Sequence, residues 1–163
     1  MKAVLGSCLA IILASCVSAP LRYTTALDDT YNDGVVRISL LGFVPQGSGS
    51  PEGLTVQCEN AGTTPVAIKW EKSSIILDSD AQPVYLETSA YKDAYGVQQE
   101  SAVAAGSRVS VTVYPSNRVG STAGGWGPPK LAIQPLSARQ VWLRMCVNVA
   151  GGDRFYTLRV TLE

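Results

Sequence analysis

Histidine is absent from the 163-residue chain. With it go Ser-His-Asp and Cys-His catalytic arrangements, histidine metal sites and the commonest general base. Cysteine is scarce: Cys8, Cys16, Cys58 and Cys146 are the whole complement. Charge is sparse and balanced, with 13 Lys+Arg against 13 Asp+Glu. No basic face or long charge run appears, so neither nucleic acid nor electrostatic attachment to lipid head groups is expected. No apolar run reaches the roughly 20 residues that a membrane-spanning helix needs. Helical periodicity is missing from 35 onward.

The first residues carry the most specific pattern. Lys2 supplies a positive charge, and residues 3–13 are almost wholly apolar and uncharged. That is the length of an export-signal apolar core. Leu13-Ala14-Ser15-Cys16 follows: an aliphatic residue, two small residues, then cysteine. The arrangement resembles the lipobox of bacterial lipoprotein precursors. The resemblance implies a thioether-linked diacylglycerol on Cys16, cleavage just before it and acylation of the new amine. Two or three chains hold a protein to a bilayer essentially permanently, each buried methylene contributing about 0.8 kcal/mol. Val17, not Asp, follows the cysteine, a pattern that in proteobacterial lipoproteins implies the outer membrane, facing the periplasm or the cell surface. The alternatives are an ordinary secretory signal cut near Ala14 or Ala19, and a buried apolar segment. The expected organisation is a signal peptide over 1–15, a lipidated cysteine and tether over 16–34, and a β-sandwich domain over 35–163.

Removal of Cys8 and lipidation of Cys16 leave Cys58 and Cys146. In an exported protein such a pair is more often bonded than free, so a Cys58–Cys146 disulfide is the expectation.

From Val35 onward the pattern is strand after strand. Val36, Ile38 and Leu40 share one face; so do Leu54, Val56 and Cys58; so do Val66, Ile68 and Trp70. Val109, Val111 and Val113 alternate with polar residues. Val141, Leu143, Met145, Val147 and Val149 form a long apolar face, and Tyr156, Leu158, Val160 and Leu162 another. Shorter strands flank the Asp78-Ser79-Asp80 turn. Seven or eight strands and their turns predict an all-β, antiparallel β-sandwich. Cys58 followed by Trp70, with Cys146 in the penultimate strand, resembles immunoglobulin-like domains in a generic way. Two departures stand out: Arg144 occupies the position of the usual tyrosine, and Cys146 shares its parity with Arg144 and Asn148. A flat strand would point Cys146 away from the core, unless a bulge corrects the phase.

No catalytic site, metal or cofactor is expected. Gly47-Ser48-Gly49-Ser50 lacks nucleophile-elbow spacing, and the stretch from Gly120 to Gly124 has Thr122 where the elbow needs serine. Asp28, Asp29 and Asp33 fail the calcium-loop pattern, with Tyr31 and Leu40 at ligand positions. Glu87, Asp93 and Glu100 leave a carboxylate pair for glycoside chemistry open. Two long loops, 88–106 and 115–140, carry Tyr91, Tyr95, Arg118 and Trp126, residue types that dominate binding hot spots. With outward Trp142, these are the binding candidates; the bland alternative is core capping and surface filler. The expected role is a non-enzymatic, membrane-anchored module that binds or braces another envelope protein in a secretion, pilus or outer-membrane assembly. A carbohydrate or small-ligand binding lipoprotein and a carboxylate-based envelope hydrolase are the alternatives.

Overall fold

Alternating apolar residues commit the chain to strands, and the computed structural model shows where they pair. It describes residues 23–24, 30–45, 51–88, 98–122, 130–138 and 140–162. The strands are β1 (Tyr23–Thr24), β2 (Thr30–Asn32), β3 (Val36–Pro45), β4 (Pro51–Asn60), β5 (Val66–Ile68), β6 (Ser74–Leu77), β7 (Asp80–Leu86), β8 (Ser101–Val103), β9 (Arg108–Pro115), β10 (Val119–Thr122), β11 (Lys130–Ile133), β12 (Gln140–Val149) and β13 (Gly152–Leu162). Two short 3-10 turns, Trp70–Lys72 and Ser116–Arg118, complete the described structure, which contains no α-helix.

All ladders are antiparallel. In one sheet β13 pairs β1 and β12, and the far side of β12 takes β6 and then β5, which pairs β8. In the other, the order is β7-β9-β4-β3-β2. β7 belongs to both. Its residues 80–83 pair β6, and its residues 84–86 pair β9. Pro83 sits at the exchange, where the missing N–H removes no bond from a continuing ladder. The fold is an antiparallel β-sandwich, as the alternation predicts, but it is built from thirteen described strands, not seven or eight.

Inward residues of both sheets make one core, including Val36, Ile38, Val56, Cys58, Ile75, Leu143, Val147 and Val160. Trp70 joins it from the 3-10 turn between β5 and β6. β5 pairs β12 at 147–149 and β6 pairs it at 141–144, so the intervening chain leaves the ladder beside Cys146. The excursion still satisfies the strand: Lys69 N–H donates to Cys146 O (2.8 Å), and Cys146 N–H donates to Ser73 Oγ (3.0 Å). Trp70 is 1 % exposed, and its Nε1 donates to Ser101 Oγ at 2.8 Å.

A smaller cluster lies outside the second sheet. Tyr85 and Tyr114, cross-strand neighbours, are covered by Val119 and Ile133 of the β10–β11 hairpin. Gly53 makes room for this: a Cβ there would stand 2.5 Å from the Tyr114 ring.

Three expectations need correction. The Cys58–Cys146 disulfide does not form; both thiols are free and buried. β12 pairs β13 without a register break from Gln140 to Val149, so Cys146 stays on the outer face while Cys58 sits in the core. With Cys58 directed into the core and Cys146 directed outward, the two Cβ vectors point apart, and such a pair cannot be bridged without moving the backbone. The domain also begins earlier than residue 35: Tyr23 and Thr24 pair with Leu162 and Thr161, and Thr30–Asn32 pairs with β3. Finally, the loops at 88–106 and 115–140 contain β8, β10 and β11.

Candidate functional site

The β12–β13 ladder builds the most distinctive surface. Its inward residues are apolar, which forces the alternate set outward. On β12 that set is Trp142, Arg144, Cys146 and Asn148; their partners on β13 are Arg159, Thr157, Phe155 and Asp153. β6 extends the rows with Ile76 beside Trp142 and Ser74 beside Arg144. Cys146 is covered by the 3-10 turn, and burial pushes its thiol up. The rest is open, with Phe155 48 % exposed and Trp142 half-buried.

Two guanidiniums lie on two rings. Arg144 Cζ stands 4.3 Å from the Phe155 centroid, and Arg159 Cζ stands 5.3 Å from the Trp142 centroid. Cations over aromatic faces are drawn by the ring quadrupole. Among the described residues, neither arginine meets a carboxylate. Of the acids on or next to this face, Asp153 is held by Lys72 and Glu100 by Lys69, while Glu71, in the 3-10 turn that covers Cys146, has no ion pair among the described residues. Arg144 and Arg159 therefore have no carboxylate partner among the described residues.

Beside it, Asp33 closes the sandwich edge. Oδ1 accepts the N–H groups of Val35 (2.9 Å) and Val36 (2.7 Å), while Oδ2 accepts from Arg154 Nη1 (2.8 Å) and the Tyr156 hydroxyl (2.9 Å). Burial pushes this carboxyl up, but the Val36 and Val35 N–H groups, Tyr156 and Arg154 together pull it well below the ordinary carboxylate range. Burial, then the Asp33 acceptor, lifts Tyr156 to about 12. Tyr31 packs edge-on to Tyr156 at 4.8 Å. Both carboxylate oxygens of Asp33 are taken up by local donors, so the cluster reads as a staple between β2–β3 and β13, not as a ligand site.

The other expected residues scatter. Cys16, Tyr91, Tyr95, Asp93 and Trp126 lie outside the described residues. Arg118 is half-buried under the β10–β11 hairpin, with Nη2 donating to Ser137 Oγ at 3.0 Å. Among the described residues its Nε has no hydrogen-bond partner, and neither has Oε2 of Glu52, a carboxyl raised by burial. Glu87 stands at a cleft of about 300 Å³ with Leu86, Thr88, Ser101, Val109 and Thr112 on its walls. Glu100 is held by Lys69, away from any described carboxylate pairing. Trp142 is the candidate whose surroundings form a surface. Arg144, Arg159 and Phe155 complete that surface; parity places all three outward, but their assembly depends on strand register that sequence does not reveal.

Comparison with family models, with curated proteins and with solved structures finds no match.

Proposed function

We propose that the chain is a cell-envelope lipoprotein, held to a bilayer by acylated Cys16, whose β-sandwich is a non-enzymatic docking module for another envelope protein. One observation carries the docking role: the open β12–β13 face, where Trp142, Phe155, Arg144 and Arg159 gather the residue types that anchor protein interfaces. β12 has ladder partners on both sides, so its backbone is not available for strand addition and recognition runs through these side chains.

The anchor fits the same role. Only residues 17–22 separate Cys16 from β1, a reach of about 25 Å at full extension. A lipidated chain of this length keeps the sandwich close to its own membrane, within range of proteins embedded there.

Site-specific photocrosslinking of the full chain in its native host tests the reading. A photoreactive phenylalanine replaces Phe155, and a control replaces Gln57, which faces outward on the opposite sheet. A discrete adduct with an envelope protein from position 155 alone is expected. No adduct at 155, or the same adducts from both positions, would overturn it.

A second reading, a small-ligand or carbohydrate module, draws on the cleft beside Glu87. Its volume is at the lower end for ligand pockets. Its described walls offer hydroxyls and aliphatic groups but no aromatic platform for a sugar ring, so the β12–β13 face is favoured.

A further inference from the structure

We infer that the surface received by the β12–β13 face is an acidic protein segment, with carboxylates pairing to Arg144 and Arg159 and apolar side chains settling on Trp142 and Phe155. The inference rests on the docking reading above and names the chemistry of its partner.

Charge is the first argument. The rows Arg159–Trp142–Ile76 and Thr157–Arg144–Ser74 contain two guanidiniums and no carboxylate. No hydrogen bond or ion pair to a described residue occupies either arginine. Each is instead laid on a ring, at 4.3 and 5.3 Å. A guanidinium held this way has surrendered rotamer freedom before binding, yet its planar N–H fork still lacks an acceptor. Carboxylates match that fork bidentately.

Two other occupants fit less well. A second copy, packed face to face about a two-fold axis, would bring two pairs of guanidiniums together, and the acid of the outward set, Asp153, is already held by Lys72. An anionic bilayer is recognised through clusters of about four to eight basic residues; this face has two, on a chain of zero net charge. A protein segment needs only two well-placed acids among apolar residues, which is what the four side chains complement.

The experiment uses the full chain with the photoreactive residue at position 155, in the native host, on three backgrounds: unaltered, R144Q/R159Q and R144E/R159E. Both arginines are exposed, so circular dichroism melts of the three should stay cooperative and lie within several degrees of one another, the difference being the two lost ring contacts. The adduct yield should fall about tenfold in R144E/R159E and less in R144Q/R159Q. Mass spectrometry of the adduct should place Asp or Glu within a few residues of the crosslinked position on the partner, and changing these to Asn or Gln should cause the same loss. Undiminished yield in R144E/R159E overturns the acidic character while leaving docking intact. Adducts to lipid, or to a second copy of the chain, overturn it in favour of those occupants. Absence of any adduct on the unaltered background refutes the docking reading itself.

Discussion

Replacing Asp33 should separate what its shape contributes from what its charge contributes. Asp33→Ala removes the acceptor for Val35 and Val36 N–H and for the Tyr156 hydroxyl, and Val36 is fully buried. Hydrogen bonds to charged groups contribute about 1.5–3 kcal/mol each when measured singly, and clustered ones add incompletely. The Arg154 bond adds little, because that side chain is 48 % exposed and screened. The loss should therefore be about 3 kcal/mol. Asp33→Asn keeps an oxygen for the two N–H groups and forfeits the charge, so about half of that loss is expected. Urea unfolding of the purified chain at neutral pH measures both. The pH dependence supplies an independent check. Because the folded carboxyl lies below its unfolded value, its contribution is complete above about pH 4 and disappears as pH falls further. The gap between wild type and Asp33→Asn should hold from pH 7 to 5 and narrow below 4. Equal losses for Ala and Asn, or a gap that widens in acid, would refute the reasoning.

Trp70→Ala should cost about 3–5 kcal/mol, as truncation of a buried aromatic does; Trp70→Phe should cost less, losing mainly the Ser101 bond, with both read as urea midpoints. Ala150 has φ +50° beside Gly151 at +84°, a two-residue hairpin turn in the left-handed region. Ala150→Asn should therefore raise the melting temperature, by about 0.5–1 kcal/mol of stability; a lower melting temperature would contradict the turn geometry. Reducing agent should leave the melting curve unchanged. Cys58, whose thiol burial lifts to about 11, and Cys146 should react with a thiol reagent only after unfolding.

Long strands with strict alternation were legible. Leu54, Val56 and Cys58, and the run from Val141 to Val149, point inward as their periodicity predicts, because a buried face fixes register over many residues. Several short strands were not, although β5 and β6 were. β1, β2, β8 and β11 have two to four residues, too few to show a period, and exist because neighbouring strands offer a ladder to complete. Trp70 was placed correctly in the core but on the wrong element, since the turn that carries it forms only against Cys146 of β12. The parity conflict at Cys146 was visible in sequence, and an unbroken β12–β13 register decides it against the disulfide. The outward positions of Trp142, Arg144 and Arg159 could be read from alternation. Their meeting with Phe155 could not, because the offset between β12 and β13 depends on the two-residue turn at 150–151.

The proposed anchor is what would make the proposed docking face an envelope surface, so the native N-terminus is the place to test it. Trypsin should release residues 16–22, ending at Arg22. Mass spectrometry of protein taken from its own membranes should find that peptide beginning at Cys16 and carrying two or three acyl chains. The same peptide without acyl chains, or a mature chain starting at another residue, would contradict the account.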